Sequence, residues 1–429
     1  MSSDLSEIPQ DYKDFEQALE NIKQHVGVKI VLDHAEVAAR SRGLMPNLKT
    51  PIGFVFPEST EHVQQIVKIA NNHALPLWPV SRGKNWGYGS ATPAKSGTLV
   101  MVLEKMNRIL EVNKDLAYAV IEPGVSYRQL HAYLEEQNLP LWIDCTDGPA
   151  DGSVIGNALE RGIGETPYGD HFANICGIEA VLADGTIMHT GGGPIDRLVS
   201  WHTHKWGVGP YLEGLFSQGN YGIVTKLGMW LMPKPERFVS CFFELAHEGD
   251  FPKMIDAIRS LQHYDALKSK IHIINDAVAF AIAVEDPREL TRGEPCLTEE
   301  RKRELRKYYN ISSWIFAGGI YGTREQVTAH IKAVRKELGP LGKIELMDER
   351  KISWLEAYLR FVKRSADFPI RNWIAHAAAK FIFRKPIPLL EQMPHMHAID
   401  KGYPSDHFVK HAWISRVDMD SFDSLSFKH

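Results

Sequence analysis

The sequence predicts an α+β protein in two parts, and three observations carry that prediction. The chain has 429 residues, more than one ordinary hydrophobic core organises. Short apolar runs of strand length alternate with amphipathic stretches of helical period along most of it. Glycine-bearing turns crowd the first half, and the step Leu231-Met232-Pro233-Lys234-Pro235 then changes the character of the chain. The boundary is set there, giving residues 1–235 and 236–429 as the two domains.

The elements follow in order. Residues 59–73 read as a helix, with Ser59 or Thr60 as cap and Val63, Ile66, Val67 and Ala70 recurring at helical spacing. The run Leu77-Trp78-Pro79-Val80 is a short strand that opens into a glycine-rich turn from Arg82 to Ser90. Leu99 to Leu103 and Tyr118 to Ile121 are further strands, the second closed by Glu122-Pro123-Gly124 and followed by an amphipathic helix over 126–136. Between Gly152 and Gly193 apolar runs such as Ile178 to Leu182 end at turn signals such as Asp184-Gly185. Past the boundary, Val239 to Leu245 reads as strand, 251–263 as helix, and His272 to Val284 mostly as strand. Trp314 to Tyr321 is a strand, Arg324 to Leu338 a helix and Lys343 to Met347 a strand. Residues 390–429 have little periodicity and no clear closing element.

Composition narrows the function classes. Hydrophobic residues make up 44% and charged residues 24%, with a formal net charge of -4, a normal globular balance that gives no reason to expect a nucleic-acid partner. The basic run Arg301 to Lys307 has glutamates beside it and reads as a solvated helix face. The acidic, polar start MSSDLSEIPQ lacks the pattern of a secretory signal, and no apolar stretch approaches the ~20 residues that span a bilayer. Cys145, Cys176, Cys241 and Cys296 are scattered without a CxxC pair, which argues against a zinc ribbon or disulfide scaffold. A cytoplasmic, reduced protein without a membrane partner is the expectation. His202 and His204, the pair His171 and His189, and the trio His395, His397 and His407 form no zinc template. They read as surface or internally satisfied histidines, and no metal is expected.

Three glycine loops carry the chemistry. The first, Pro79-Val80-Ser81-Arg82-Gly83-Lys84-Asn85-Trp86-Gly87-Tyr88-Gly89, has the spacing G-x-x-x-G-x-G. It matches neither the Rossmann fingerprint nor the Walker A loop. Its glycines can turn backbone N–H groups toward an anion, and Arg82 and Lys84 add positive charge. The second runs from Gly152 and Ser153 through Gly156 and Asn157 to Arg161 and Gly162. The third, Asn220-Tyr221-Gly222-Ile223, leads into a strand. Together they suit a long, flat diphosphate cofactor, and tight packing between strands is an equally good account of them taken alone.

The blocks PLWPVSRGKNWGYGSATP, AYAVIEPGVSYRQLHAYLE, GSVIGNALERGIGETPYGDHF and KWGVGPYLEGLFSQGNYGIVTKLGMWLMPKP resemble, in sequence, order and spacing, the vanillyl-alcohol oxidase and p-cresol methylhydroxylase family. The likeness is strong from about residue 50 to 235 and thinner to about 390. It implies a p-cresol-methylhydroxylase-type FAD-binding domain of two α+β subdomains, followed by an α+β cap domain. It further implies oxidation of para-substituted phenols, such as 4-alkylphenols and 4-hydroxybenzyl alcohols, by hydride transfer to flavin N5 through a quinone methide.

Residue by residue, the resemblance puts FAD against Pro79, Ser81, Arg82, Gly83, Lys84, Asn85, Gly87, Tyr88 and Gly89. It adds Gly152, Ser153, Gly156, Asn157, Arg161, Gly162, Gly222 and Ile223. Tyr88 falls where the family keeps a tyrosine that hydrogen-bonds the phenolate. The family's aspartate base precedes GSVIGN, where this chain is one residue longer, so the base is Asp147 or Asp151, with the distance from Leu141-Trp142 favouring Asp147. Glu165 stands where the pattern has a tyrosine and is kept as a further catalytic candidate; it is the reason to hold another alcohol or hydroxy acid as an alternative substrate. Noncovalent FAD is favoured because Arg82 to Gly89 contains no histidine, with His407, His411 and Tyr403 lying in the region where the closer family attaches its flavin. The resemblance implies a phenolic small-molecule substrate, a homodimer, and oxygen or a cytochrome as electron acceptor. The family pattern continues beyond residue 429, so a truncated cap, and with it a catalytically silent flavoprotein, is the rival expectation.

Overall fold

The computed structural model describes residues 13–41, 49–84, 91–146, 149–207, 209–283, 288–309 and 311–348. The chain divides into two compact units. One comprises Met1–Gly164 and Asp170–Pro233, and the other takes Glu165–Gly169 with the chain from Lys234 onward. The division at Pro233 adjoins the two-proline step, and the pentapeptide Glu165–Gly169 joins the second unit from within the first.

The first unit begins with α1 (Lys13–His25), β1 (Lys29–Val31), α2 (His34–Arg40), β2 (Gly53–Phe56), α3 (Thr60–Asn72), β3 (Leu77–Val80) and β4 (Leu99–Val102). Ser59 caps α3 by accepting the His62 N–H, which saves one of the orphan donors of the first turn. The sheet order is β1-β2-β4-β3, with β2, β4 and β3 parallel and β1 antiparallel to β2. Strands β2 and β4 are buried on both faces. Val55, Leu99 and Met101 meet Ile22, Val63 and Ile66 on the helical side, while Phe54, Phe56, Val100 and Val102 form the opposite cluster. This explains why they read as continuous apolar runs instead of alternating ones. Pro79 is tolerated because β3 lies at the sheet edge.

A second layer follows: β5 (Ile109–Asn113), β6 (Tyr118–Ile121), α4 (Tyr127–Glu136), β7 (Leu141–Trp142), α5 (Val154–Leu159), β8 (Ile175–Leu182), β9 (Ile187–His189), β10 (Gly222–Trp230) and β11 (Met232–Pro233). Strands β5-β6-β10-β8-β9 form an antiparallel sheet, and β7 pairs with β11. One face of this sheet packs on α4 and α5 through Ile121, Leu130, Leu134, Ile155, Ile178 and Leu227. The other face carries the buried carboxylate of Glu179. Its Oε1 accepts from Thr60 Oγ1 on α3 and Thr225 Oγ1 on β10, both at 2.9 Å. Its Oε2 takes Lys226 Nζ at 2.8 Å and His189 Nε2 at 3.0 Å.

The second unit contains β12 (Arg237–Leu245), α6 (Phe251–His263), β13 (His272–Asn275), α7 (Asp276–Ala283), α8 (Arg288–Thr291), α9 (Glu299–Tyr309), β14 (Trp314–Gly322), α10 (Arg324–Leu338) and β15 (Gly342–Asp348). The antiparallel order β13-β14-β12-β15, with α6 and α10 after β12 and β14, is a βαββαβ arrangement of ferredoxin-like type. Val239, Cys241, Phe243 and Leu245 alternate inward to meet Met254, Leu261, Val327 and Val334 of the two helices. Thr323 and Gln326 close a capping box at the start of α10.

Two sequence expectations need correction. The run 272–284 is strand only as far as Asn275 and is helical from Asp276. The alternation of Ala with Val, Phe and Ile imitates a strand, but alanine is the strongest helix former and Asp276 suits a helix start. Phe280 then packs on Leu305 and Tyr309 of α9, while Asp276 pairs with Arg306. The second glycine loop is likewise a short helix from Val154, capped by the Ser153 side chain. Among the described residues no helix is long and apolar enough to cross a membrane.

Candidate functional site

Strand β3 ends at Val80, whose carbonyl accepts the Leu103 N–H, and delivers Ser81, Arg82 and Gly83 at the end of the parallel sheet. Gly83 has φ +64°, a conformation that favours glycine and turns the chain sharply. Arg82 is a strut: Nε donates to the Asp151 carbonyl at 2.6 Å and one terminal nitrogen to the Gly124 carbonyl at 3.0 Å. Gly124 is obligatory, because a Cβ there would lie within 2.5–2.7 Å of three carbonyl oxygens, those of Leu103, Glu104 and Met106. Lys84 is exposed and makes no hydrogen bond or ion pair among the described residues, though its charge is felt at Asp151.

Asp151 receives Arg128 Nε at 2.9 Å and a second guanidinium nitrogen at 3.4 Å. That hydrogen bond, with the charges of Arg128, Arg82 and Lys84, outweighs burial and holds its pKa below the usual carboxylate range. The side chain is thus an ion-pair partner, poorly suited to taking up a proton. Asp147, the other base candidate, lies outside the described residues, as do Asn85, Gly87, Tyr88 and Gly89.

The first turn of α5 lies against the β3 loop. Ser153 accepts the Gly156 N–H at 2.9 Å and donates to the Pro123 carbonyl at 2.6 Å. Gly152 turns through its N–H to the Pro149 carbonyl. A Cβ at Gly156 would come within 2.8 Å of Ser81 Oγ, so glycine is what lets the two loops meet. Ser81, Arg82, Gly152, Ser153 and Gly156 are therefore brought together. Arg161 instead ends α5 at φ +56° and donates to Ser217 Oγ at 2.7 Å. Gly222 and Ile223 open β10 opposite Leu182 and Val181, and a Cβ at Gly222 would crowd the Val181 carbonyl at 2.8 Å. Glu165 falls in the second unit, where its Oε2 meets His272 Nε2 at 2.7 Å and its carbonyl accepts the Lys270 N–H.

A buried polar chain lies behind α5. His171 Nε2 donates to Asp144 Oδ1 at 2.9 Å, and its Nδ1 lies 2.5 Å from Asn157 Oδ1. The Tyr127 hydroxyl is 3.4 Å from the same Nδ1. Tyr127, Asp144 and His171 are 3–4% exposed. Burial, then the nearby Cys145 and Asp144, pushes the Tyr127 hydroxyl well above its ordinary pKa. Two glycines make room: a Cβ at Gly162 would lie 2.0 Å from Asn157 Oδ1, and one at Gly164 would lie 1.5 Å from Asp144 Oδ1. Sequence reasoning missed this chain. Asp144, Asn157 and His171 are too far apart to show a spacing, and the only signal was that each lies in or beside the glycine-rich block.

Chemically, the arrangement offers a glycine-turned backbone, the spare ammonium of Lys84 and the Nδ2 of Asn157, which has no hydrogen-bond partner among the described residues. Such donors suit a diphosphate and the polar edge of a cofactor. Among the described residues no cluster of three His, Cys, Asp or Glu is arranged to hold a metal.

Comparison with known proteins gives the donors a ligand. A family model described as an FAD binding domain matches residues 51–191, which contain the first two glycine loops. The chain is 32% identical over 375 residues to the flavoprotein subunit of 4-cresol dehydrogenase [hydroxylating] from Pseudomonas putida, covering 84% of this chain and 71% of that one. It is also 32% identical over 402 residues to the 1'-carboxy-chondrochloren decarboxylase of Chondromyces crocatus, covering 93% and 71%. The solved 4-ethylphenol oxidase from Gulosibacter chungangensis superposes with a TM-score of 0.72 at 31% identity, over 89% of this chain and 72% of that one. The residues present fit FAD in kind, with glycine at the close approaches between the loops and polar donors, Lys84 and the Asn157 amide, beside them.

Proposed function

We propose, from the premise that this chain belongs to the vanillyl-alcohol oxidase and p-cresol methylhydroxylase family of FAD-dependent oxidoreductases, that it oxidises para-substituted phenols such as 4-alkylphenols and 4-hydroxybenzyl alcohols. The observation that carries this reading is the extent of the likeness to 4-cresol dehydrogenase. It covers 84% of the chain, more than residues 1–233 supply alone, and so reaches into the second unit.

Bound FAD supplies the hydride acceptor, at N5. The protein's part is to hold the phenol as a phenolate, to manage a proton near the benzylic carbon and to keep water controlled while a quinone methide forms. We assign the phenolate donor to Tyr88. We assign the proton-handling carboxylate to Asp147, since Asp151 is held by Arg128. Glu165, where the family pattern has a tyrosine, would by itself repel a phenolate; its hydrogen bond with His272 reduces that repulsion. FAD is held noncovalently in this reading, the protein forms a homodimer, and oxygen or a cytochrome reoxidises it.

A second reading has one observation in its favour: the relative matched over 93% of this chain is a decarboxylase. Anaerobic mixing with substrate separates the two. A 4-alkylphenol or 4-hydroxybenzyl alcohol is expected to bleach the flavin absorbance at once. Bleaching only by carboxylated analogues, with release of carbon dioxide, would replace the phenol reading by the second. No bleaching by either class would remove both.

A further inference from the structure

We propose that His171 is a positioning residue for the cofactor site: backed by Asp144, it fixes the side-chain amide of Asn157 so that Oδ1 is held inside and Nδ2 is presented as a donor to FAD. The inference rests on the reading that FAD lies against the first turn of α5.

The amide of Asn157 is constrained from two sides. Its Oδ1 lies 2.5 Å from His171 Nδ1. Its flat face lies on Gly162, where an added Cβ would stand 2.0 Å from Oδ1 and 2.3 Å from Nδ2, so rotation has little room. His171 is itself fixed, since its other nitrogen donates to Asp144 Oδ1 at 2.9 Å. Gly164 leaves no space around that contact, and both side chains are almost wholly buried. Water therefore does not compete for these hydrogen bonds, and each is firmer than its surface counterpart. The Nδ2 of Asn157 has no hydrogen-bond partner among the described residues. Asn157 is partly exposed and follows Gly156, whose α-carbon meets Ser81 of the β3 loop. A donor already oriented in the free protein binds without the cost of ordering it. The two glycines of the Arg161-Gly162-Ile163-Gly164 stretch then serve the cofactor indirectly, by admitting the side chains that aim Asn157.

The test titrates deflavinated protein with FAD, followed by quenching of flavin fluorescence. Asn157→Ala and His171→Leu are each expected to raise the Kd about tenfold. The double variant is expected to be no weaker than either single one, because His171 acts only through Asn157. His171→Asn, which can keep a donor near the Nδ1 position, is expected to recover most of the affinity. A merely structural role would give additive losses and no such recovery. Additive losses, or wild-type affinity in His171→Leu, would overturn the proposal. The readout uses no phenol. A protein that follows this pattern but oxidises no phenol sinks the substrate reading alone, and additive losses in an active phenol oxidase sink this inference alone.

Discussion

Replacing Glu179 tests whether its buried carboxylate ties α3 to the antiparallel sheet. The side chain accepts from Thr60, Thr225, His189 and Lys226. In Glu179→Ala, Lys226 and His189, each about one-third exposed, turn to water and lose little. Thr60 Oγ1 is left in a buried site, while Thr225 keeps only its longer bond to the Glu179 carbonyl at 3.3 Å. One unsatisfied buried hydroxyl, one weakened one and two lost charge-assisted bonds amount to about 3 kcal/mol. Glu179→Gln keeps an oxygen for Lys226 and gives an amide that donates to a threonine oxygen, so its cost is about 1–2 kcal/mol. The assay is urea unfolding followed by tryptophan fluorescence. A Gln variant no more stable than Ala, or an Ala variant within about 1 kcal/mol of wild type, would refute the reasoning. The pH dependence has a definite sign. Burial raises the pKa of Glu179, but the hydrogen bonds and charge of Lys226, with His189 and Thr225, outweigh it and leave it lowered. The folded state thus binds the proton less tightly than the unfolded chain, whose value is about 4.3. The advantage of wild type over Glu179→Gln is full above that value and is lost as pH falls through the folded pKa.

Two further outcomes are expected. Gly164→Ala would force a Cβ to 1.5 Å from Asp144 Oδ1, displacing a buried hydrogen-bonded pair; we expect a loss of about 3 kcal/mol and a Tm lower by roughly 6–12 °C, and a Tm within about 2 °C of wild type would show that the pair yields freely. Asp147→Asn should slow flavin reduction by ~10²-fold or more, while Asp151→Asn should leave it within about threefold; stopped-flow reduction with a 4-alkylphenol reads both, and the reverse order would move the base to Asp151.

Much of the fold was legible because its periodicities agree with its packing. The inward positions Val239, Cys241, Phe243 and Leu245 alternate as a half-buried strand must, and the bounds of α6 and α10 coincide with their sequence expectations. The failures also have physical causes. In α7 the alternation of alanine with larger residues imitates a strand, and packing of Phe280 against α9 decides for helix. In α5 the glycine content hides a helix whose Gly156 is required by the approach of Ser81. At the site, Arg82 and Asp151 could be named from the loops they occupy. That Arg82 spends its donors on carbonyls, and that Asp151 is paired by Arg128, depends on contacts across 69 and 23 residues that local pattern does not reveal. The Asp144–His171–Asn157 chain is the clearest case: Asn157 and Gly162 were named only as cofactor contacts, Asp144 and His171 had no role, and the space that Gly162 and Gly164 leave for these side chains shows only in three dimensions.

The assignment of Glu165–Gly169 to the second unit bears on how the protein can be taken apart. The five residues lie between stretches that belong to the first unit, so the chain passes from one unit to the other and back before leaving for good at Pro233. A protease cut or expression boundary at that proline does not yield an intact second piece. A fragment beginning at Lys234 would carry His272 without its Glu165 carboxylate and the Lys270 N–H without its Glu165 acceptor. The fragment ending at Pro233 would keep that segment as an orphaned loop. A faithful dissection of this protein is therefore a matter of insertion or circular permutation, with the pentapeptide grafted back onto the piece it completes.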